Sequence, residues 1–111
     1  MKITSSKIGF INVIAPQSPL VDEHSDALKK IIQGHFENND AKILIDFSGV
    51  SHIDSRGLEL LLDSFEDAKK KGGDIKLCNV NQLCTDIFLA TRMSSYFEMY
   101  KTPEEAAQSY L

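Results

Sequence analysis

The sequence predicts an α/β fold, a single domain with a mostly parallel sheet of four to five strands and about four helices. Two observations support this class. Short β-rich runs alternate along the chain with segments of helical hydrophobic period, which is typical of parallel sheets with right-handed crossovers. One of the runs, Ile43–Phe47, is almost continuously apolar, as expected for a strand covered on both faces.

The first third of the chain predicts a strand and then a helix. The β-rich run 8–14 predicts the strand, and Ile3 lies where a preceding partner strand would be. Antiparallel pairing of these two strands is left open. From Asp22 the hydrophobic period becomes helical. One helix face carries Leu28, Ile31, Ile32 and Phe36. We expect this helix to end near the turn Asn38–Asp40.

The second helix follows a loop after the strand Ile43–Phe47. Its apolar side chains repeat at helical spacing, at Leu58, Leu61, Leu62 and Phe65. Gly72–Gly73 is expected to end it, because glycine favours the left-handed backbone of a helix end. The preceding lysines suit the negative end of the helix dipole.

The last third predicts two strands and two helices in alternation. The run 75–80 predicts a strand, and Asn81 is a suitable cap for the helix after it. A short strand is expected at 96–100. Thr102 then caps a final helix with Pro103 in its first turn, where proline is well tolerated.

The composition is that of one globular domain over residues 1–111. Hydrophobic residues make up 42% and charged residues 25%, which excludes intrinsic disorder as the main state. The net charge is −4, and the one dense basic cluster, Lys69–Lys71, lies at a helix end, so we expect no direct nucleic-acid binding. The chain has no apolar run of about 18–20 residues and no signal-peptide pattern, which predicts a cytoplasmic protein without a membrane span.

Neither an enzyme nor a cofactor site is predicted. The chain has no Gly-rich phosphate loop and no apparent Ser-His-Asp or Cys-His set. Cys78 and Cys84 fit no common zinc pattern and are expected to be reduced, buried thiols. His24 and His35 lack metal-ligand spacing. We therefore expect no catalytic residue, no metal and no cofactor.

The segment Asp54-Ser55-Arg56-Gly57 lies where the second helix begins after a buried strand. In open α/β sheets, functional groups collect at the carboxyl ends of strands and at helix N-termini. The free N–H groups and the helix dipole favour negative charge there, so a phosphate on Ser55 is compatible with the helix. Helix capping alone is the other interpretation, because Asp and Ser are the commonest capping residues.

The stretch Ile43–Leu58 resembles the signature of STAS domains, the family of anti-sigma-factor antagonists and of cytoplasmic domains of sulphate transporters. That signature is a buried strand ending in Asp-hydrophobic-Ser-x-Val, followed by hydrophobic-Asp-Ser-x-Gly-Leu. The resemblance continues through Lys71–Gly73, 89–93 and 102–106. It covers the chain well from Lys42 onward, whereas the first third matches only in its order of elements.

The resemblance implies a regulatory domain that is a substrate and a switch rather than an enzyme. In such antagonists, the serine matching Ser55 is phosphorylated by a partner anti-sigma factor or switch protein that is a GHKL-type serine kinase. A PP2C-type phosphatase reverses the reaction, and the unphosphorylated form binds its partner. The residues expected to contact the partner are Asp22, Asp54, Arg56, Gly57, Leu58 and Glu59.

Three positions depart from the family pattern. Arg56 stands where Ser, Thr or Ala is common, and Glu59 stands where small residues are common. The segment before Asp22 lacks the usual glycine, and Asp22 is displaced by one residue. The two charged residues suggest a partner with an unusual charge pattern. They also favour an alternative function, an unphosphorylated STAS subunit of an ABC-type membrane transport complex for lipids or anions.

Overall fold

A five-stranded sheet forms the centre of the computed structural model, which describes residues 2–111. The strands lie side by side in chain order: β1 (Ile3–Ile8), β2 (Ile11–Pro16), β3 (Lys42–Asp46), β4 (Asp74–Cys78) and β5 (Met99–Tyr100). Strand β1 is antiparallel to β2, and the other neighbouring pairs are parallel. The predicted α/β class and the mostly parallel sheet are confirmed.

Within the described residues, three helices pack on one face of the sheet and a fourth packs on the other. They are α1 (His24–Glu37), α2 (Ser55–Lys70), α3 (Gln82–Ala90) and α4 (Pro103–Gln108). The first three each connect parallel strands in the same direction across the sheet, and right-handed crossovers place such helices on one face. Helix α4 contacts β3, β4 and β5 from the opposite face, where Ala106 packs with Val13, Leu44 and Cys78.

The run 8–14, which we expected to be one strand, contains a hairpin turn instead. Gly9 and Phe10 form a two-residue loop between Ile8 and Ile11, which are paired residues of β1 and β2. Gly9 has φ +61°, and two-residue hairpins favour glycine at this position because their turns need a positive φ there. The first two strands pair in antiparallel fashion, which the sequence had left open.

The last strand is shorter than the predicted 96–100. Arg92 has φ +62°, and a 3₁₀ turn follows at Met93–Ser95, so the chain becomes extended only at Met99. The turn places Met93 and Phe97 in the core. The expected strand is therefore present, but it consists only of Met99 and Tyr100.

The helix ends follow the local signals in the sequence. The side chain of Asn81 accepts a hydrogen bond from the Cys84 N–H at 2.8 Å, which confirms it as the cap of α3. Gly72 has φ +76° just after α2, where left-handed backbone ends a helix. Cys78 and Cys84 are both buried free thiols, and burial raises the pKa of Cys78 to about 12. These two thiols are thus packing groups.

One buried charge lies beneath the end of α4. Lys76 of β4 is only 6% exposed, and its Nζ atom donates to the Ser109 hydroxyl at 2.7 Å. The same ammonium lies 3.0 Å from a Glu98 carboxylate oxygen and 4.3 Å from the centre of the Tyr110 ring. The hydrogen bond from Lys76 lowers the pKa of Glu98. These contacts hold the chain after α4 against the sheet.

Candidate functional site

The loop after β3 leads directly into α2 at Asp54 and Ser55. Asp54 has extended backbone at φ −103° and ψ −176°, and its Oδ1 atom accepts a hydrogen bond from the Gly57 N–H at 2.9 Å. This is the geometry of a helix N-cap. Ser55 is the first helical residue, and it is exposed. The predicted position of this serine at a helix start is confirmed.

The second carboxylate oxygen of Asp54 binds a different part of the chain. Asp54 Oδ2 accepts a hydrogen bond at 2.9 Å from the N–H of Asp22, which is exposed and has φ +48° in the loop before α1. The Asp54 N–H in turn donates to the Leu20 carbonyl oxygen at 3.2 Å. One aspartate therefore caps α2 and ties the β2–α1 loop to it, and Asp22 lies beside the Ser55 surface.

Removing the Asp54 carboxylate is expected to lower stability more than removing an ordinary helix cap does, because this carboxylate also accepts the hydrogen bond from Asp22. Asp54→Ala should lower the free energy of unfolding by about 1–2 kcal/mol, because it leaves the Gly57 N–H without its cap. Urea denaturation measures this change. The matched control is Thr102→Ala, which removes the cap of α4, a 3.1 Å hydrogen bond from Glu105 N–H. If Asp54→Ala lowers the free energy of unfolding by no more than Thr102→Ala does, the hydrogen bond to Asp22 contributes nothing to stability.

The same hydrogen bonds predict a dependence of stability on pH. The bond from the Gly57 N–H, followed by that from Asp22, lowers the pKa of Asp54. Because the folded pKa lies below that of the unfolded chain, about 3.9, this carboxylate stabilises the fold above that pH. The contribution is lost as the pH falls through the folded pKa.

The free energy of unfolding of wild type and Asp54→Asn, measured from pH 7 to about pH 2, tests this dependence. The wild type is expected to be the more stable at neutral pH, and the difference is expected to shrink in acid. Asp40 and Glu98 also have lowered pKa values, but both proteins contain them, so their contributions cancel in the difference. A difference that stays constant with pH would contradict the prediction.

Arg56 pairs with a residue that the sequence did not single out. Its Nη2 atom lies 2.8 Å from Asp26 Oδ2 on α1, and the two side chains are 55% and 50% exposed. Neighbouring side chains on a helix diverge by about 100°, so Ser55 points away from this ion pair. Glu59, also exposed, shares with Arg56 a shallow hollow of about 210 Å³ between α1 and α2.

Gly57 and Leu58 are placed differently from the other predicted contact residues. Leu58 is 8% exposed and belongs to the hydrophobic core. Gly57 is buried against the Leu20 carbonyl oxygen and the Ile53 side chain. Neither offers a side chain to a partner. The exposed members of the predicted set are Asp22, Ser55, Arg56 and Glu59, with Asp54 partly buried among them.

The loop that precedes Ser55 is anchored at its start and middle by side chains of β3 and of the β4–α3 connection. Asp46 Oδ1 accepts hydrogen bonds from the Ser48 N–H and from the Asn79 side chain, both at 3.0 Å. The Asn81 amide donates to the Ser51 carbonyl oxygen at 3.0 Å. Asn81 thus both caps α3 and holds this loop, a second role that sequence reasoning missed. The helix start is presented on a rigid support.

The family model of the STAS domain matches residues 2–106, nearly the whole chain. This chain belongs to the STAS domain family. Its curated relatives include BtrV of Bordetella bronchiseptica, a candidate anti-sigma factor antagonist. The two are 20% identical over 99% of this chain and 95% of BtrV. The predicted family and its likeness to anti-sigma-factor antagonists are confirmed.

Solved STAS structures share the fold at low sequence identity. A candidate anti-sigma factor antagonist of Thermotoga maritima has a TM-score of 0.90 and 20% identity, covering 96% of this chain and 92% of that one. The phosphorylated form of the Bacillus cell fate determinant SpoIIAA has a TM-score of 0.75 and 18% identity, covering 99% and 100%. SpoIIAA, an anti-sigma factor antagonist, is also solved unphosphorylated.

The same fold occurs within a membrane transporter. The murine anion transporter Slc26a9 matches 93% of this STAS chain with a TM-score of 0.76 and 20% identity, but the match spans only 18% of the transporter. In the present chain, no helix within residues 2–111 is long and apolar enough to cross a membrane. Nor do those residues include a group of three or more His, Cys, Asp or Glu side chains placed to hold a metal ion.

Proposed function

We propose that this STAS protein is a cytoplasmic partner-switching regulator of the anti-sigma-factor-antagonist type, controlled by reversible phosphorylation of Ser55. The observation that carries the proposal is the exposure of Ser55 at the first residue of α2, after a loop anchored by side chains of the β4–α3 connection. An exposed hydroxyl on a rigid support is accessible to a kinase. The existence of SpoIIAA in phosphorylated and unphosphorylated forms supports the proposal.

The helix start tolerates the product of this reaction. A phosphate adds about −1.5 to −2 charges, and the helix dipole with its free N–H groups stabilises negative charge at this end. Asp54 keeps both of its own hydrogen bonds, because Ser55 takes part in neither of them. Phosphorylation should therefore leave the fold intact and change the charge of one surface.

That change of charge is the switch. The surface around Ser55 already carries Asp22 and, one turn along α2, Glu59, while Arg56 is paired with Asp26. A partner that docks there on the unphosphorylated form meets roughly two further negative charges after phosphorylation. A partner surface fitted to the uncharged hydroxyl of Ser55 would have to bury this phosphate without a matching cation, which weakens binding. The partner is an anti-sigma factor or a GHKL-type serine kinase that contacts Asp22, Asp54, Arg56 and Glu59, and a PP2C-type phosphatase removes the phosphate.

Mass spectrometry of the protein from its native cells tests the proposal. Intact-mass and peptide spectra, with and without phosphatase treatment, are expected to place a phosphate on Ser55. Ser55→Ala should abolish the signal. Ser51→Ala is the matched control, because Ser51 is an exposed serine of the preceding loop that is outside the helix. Absence of phosphate from Ser55 across growth phases and stresses would refute the switch.

A second candidate function is an accessory subunit of an ABC-type transport complex for lipids or anions, without phosphorylation. The fold shared with part of Slc26a9 favours it, as do the charged residues Arg56 and Glu59 beside Ser55. Affinity capture from membranes separates the two functions. Recovery of a transport ATPase, equally with Ser55→Ala and Ser55→Asp, supports the accessory role. Recovery of a serine kinase with Ser55→Ala but not with Ser55→Asp supports the switch.

A further inference from the structure

An apolar groove lies at the far end of the sheet from Ser55. It has a volume of about 420 Å³ and runs between the β1–β2 turn, the first residue of β3 and the end of α4. Phe10 of the turn and Lys42 of β3 line it, together with Glu104, Ala107 and Tyr110 of α4 and the residues after it. Lys42 opens β3, whereas Ser55 follows the loop beyond the opposite end of that strand. The groove is thus remote from the proposed switch.

Phe10 projects from this surface on a fixed backbone. It is 85% exposed, although it belongs to a two-residue turn closed on both sides by the pairing of Ile8 with Ile11. Because the turn already fixes the backbone, docking the ring costs only the rotamer entropy of one side chain. A large apolar ring held in water beside an apolar recess is typical of an interaction site.

We propose that this face binds a second copy of the chain in a two-fold symmetric dimer, with the Phe10 ring of each copy in the groove of the other. A projection and a recess that lie side by side on one surface are complementary to themselves under a two-fold rotation. The groove is large enough, because a cavity of about 150 Å³ already admits a benzene ring.

Charge complementarity supports the same occupant. Lys42 lines the groove from β3 and Glu104 lines it from α4. Both are exposed, and neither forms an ion pair with any residue in 2–111. The proposed dimer pairs Lys42 with Glu104 of the partner subunit, and the two-fold symmetry repeats the contact. Ser55 stays accessible at the far end of both copies. The dimer therefore goes beyond the proposed function, and an experiment can refute the dimer without refuting the Ser55 switch, or the reverse.

Sedimentation equilibrium from about 1 µM to about 1 mM covers the range of weak to moderate association. The wild type is expected to dimerise within it. Phe10→Ser should weaken the dimer at least tenfold without harming the hairpin, because Gly-Ser suits this turn. The matched control is Leu83→Ser, which removes another exposed apolar side chain, 54% exposed on α3, and should leave the dimer unchanged.

A charge exchange distinguishes contact between copies from contact within one copy. Lys42→Glu and Glu104→Lys should each weaken the dimer, since each variant sets like charges opposite one another twice. A mixture of the two single variants should restore it, because both contacts in the mixed dimer then join opposite charges. A wild type that stays monomeric, a Phe10→Ser protein that still dimerises normally, or a mixture no better associated than its components would overturn the proposal.

Discussion

Replacing Gly57 with alanine is expected to lower the free energy of unfolding by about 1–3 kcal/mol. Its added Cβ atom would meet the backbone carbonyl oxygen of Leu20 and would approach Ile53 Cγ1 to 2.7 Å. The carbonyl cannot easily retreat, because it accepts the Asp54 N–H and its residue pairs with Ile53 in a parallel bridge. Close approach of the β2–α1 loop to α2 thus requires glycine at this position.

The sign of the change makes this test decisive. Alanine within a helix is favoured over glycine by about 1 kcal/mol when nothing obstructs its Cβ atom. A Cβ atom added at Gly34, on α1, would meet nothing within 4 Å apart from the backbone of its own helix, so Gly34→Ala should raise stability. Urea denaturation should therefore show a lower free energy of unfolding for Gly57→Ala and a higher one for Gly34→Ala. A Gly57→Ala protein as stable as the wild type would mean that the loop moves aside at no cost.

Replacing Ser55 with aspartate is expected to weaken partner binding by about tenfold or more, while Ser55→Ala binds like the unphosphorylated wild type. Aspartate adds one negative charge at an exposed position. A partner surface fitted to the uncharged Ser55 hydroxyl would have to bury that charge without a matching cation, which is costly. The fold should not suffer, because negative charge in the first helical turn is favourable by about 0.3–1 kcal/mol. Loss of binding without loss of stability separates a switch from misfolding.

Calorimetric titration against a partner captured with the Ser55→Ala protein gives the affinities, and urea denaturation gives the stabilities. Ser51→Asp is the matched control, because it adds the same charge to the exposed loop four residues earlier. Equal weakening by both aspartates would indicate a general charge effect rather than a site at Ser55. Undiminished binding of Ser55→Asp would contradict the proposed switch.

The order of elements was predictable because its signals are local. Each strand and helix is encoded by side chains a few residues apart, as are the cap at Asn81 and the stop at Gly72. The same reasoning went wrong at Phe10. An apolar residue in a turn made 8–14 look like one strand, and only the pairing of Ile8 with Ile11 shows the hairpin. The left-handed backbone of Arg92, which shortens β5, also has no signal in its side chain.

The sequence by itself determined the family signature, the α/β class and the position of Ser55 at the start of a helix. The tertiary structure decided which groups surround that serine. The ion pair of Arg56 with Asp26 and the hydrogen bond of Asp54 to Asp22 join residues about thirty positions apart. It also buried Lys76 in the middle of a strand. Such contacts depend on how α1, α2 and α4 pack on the sheet, because side-chain partners distant in sequence meet only after the chain has folded.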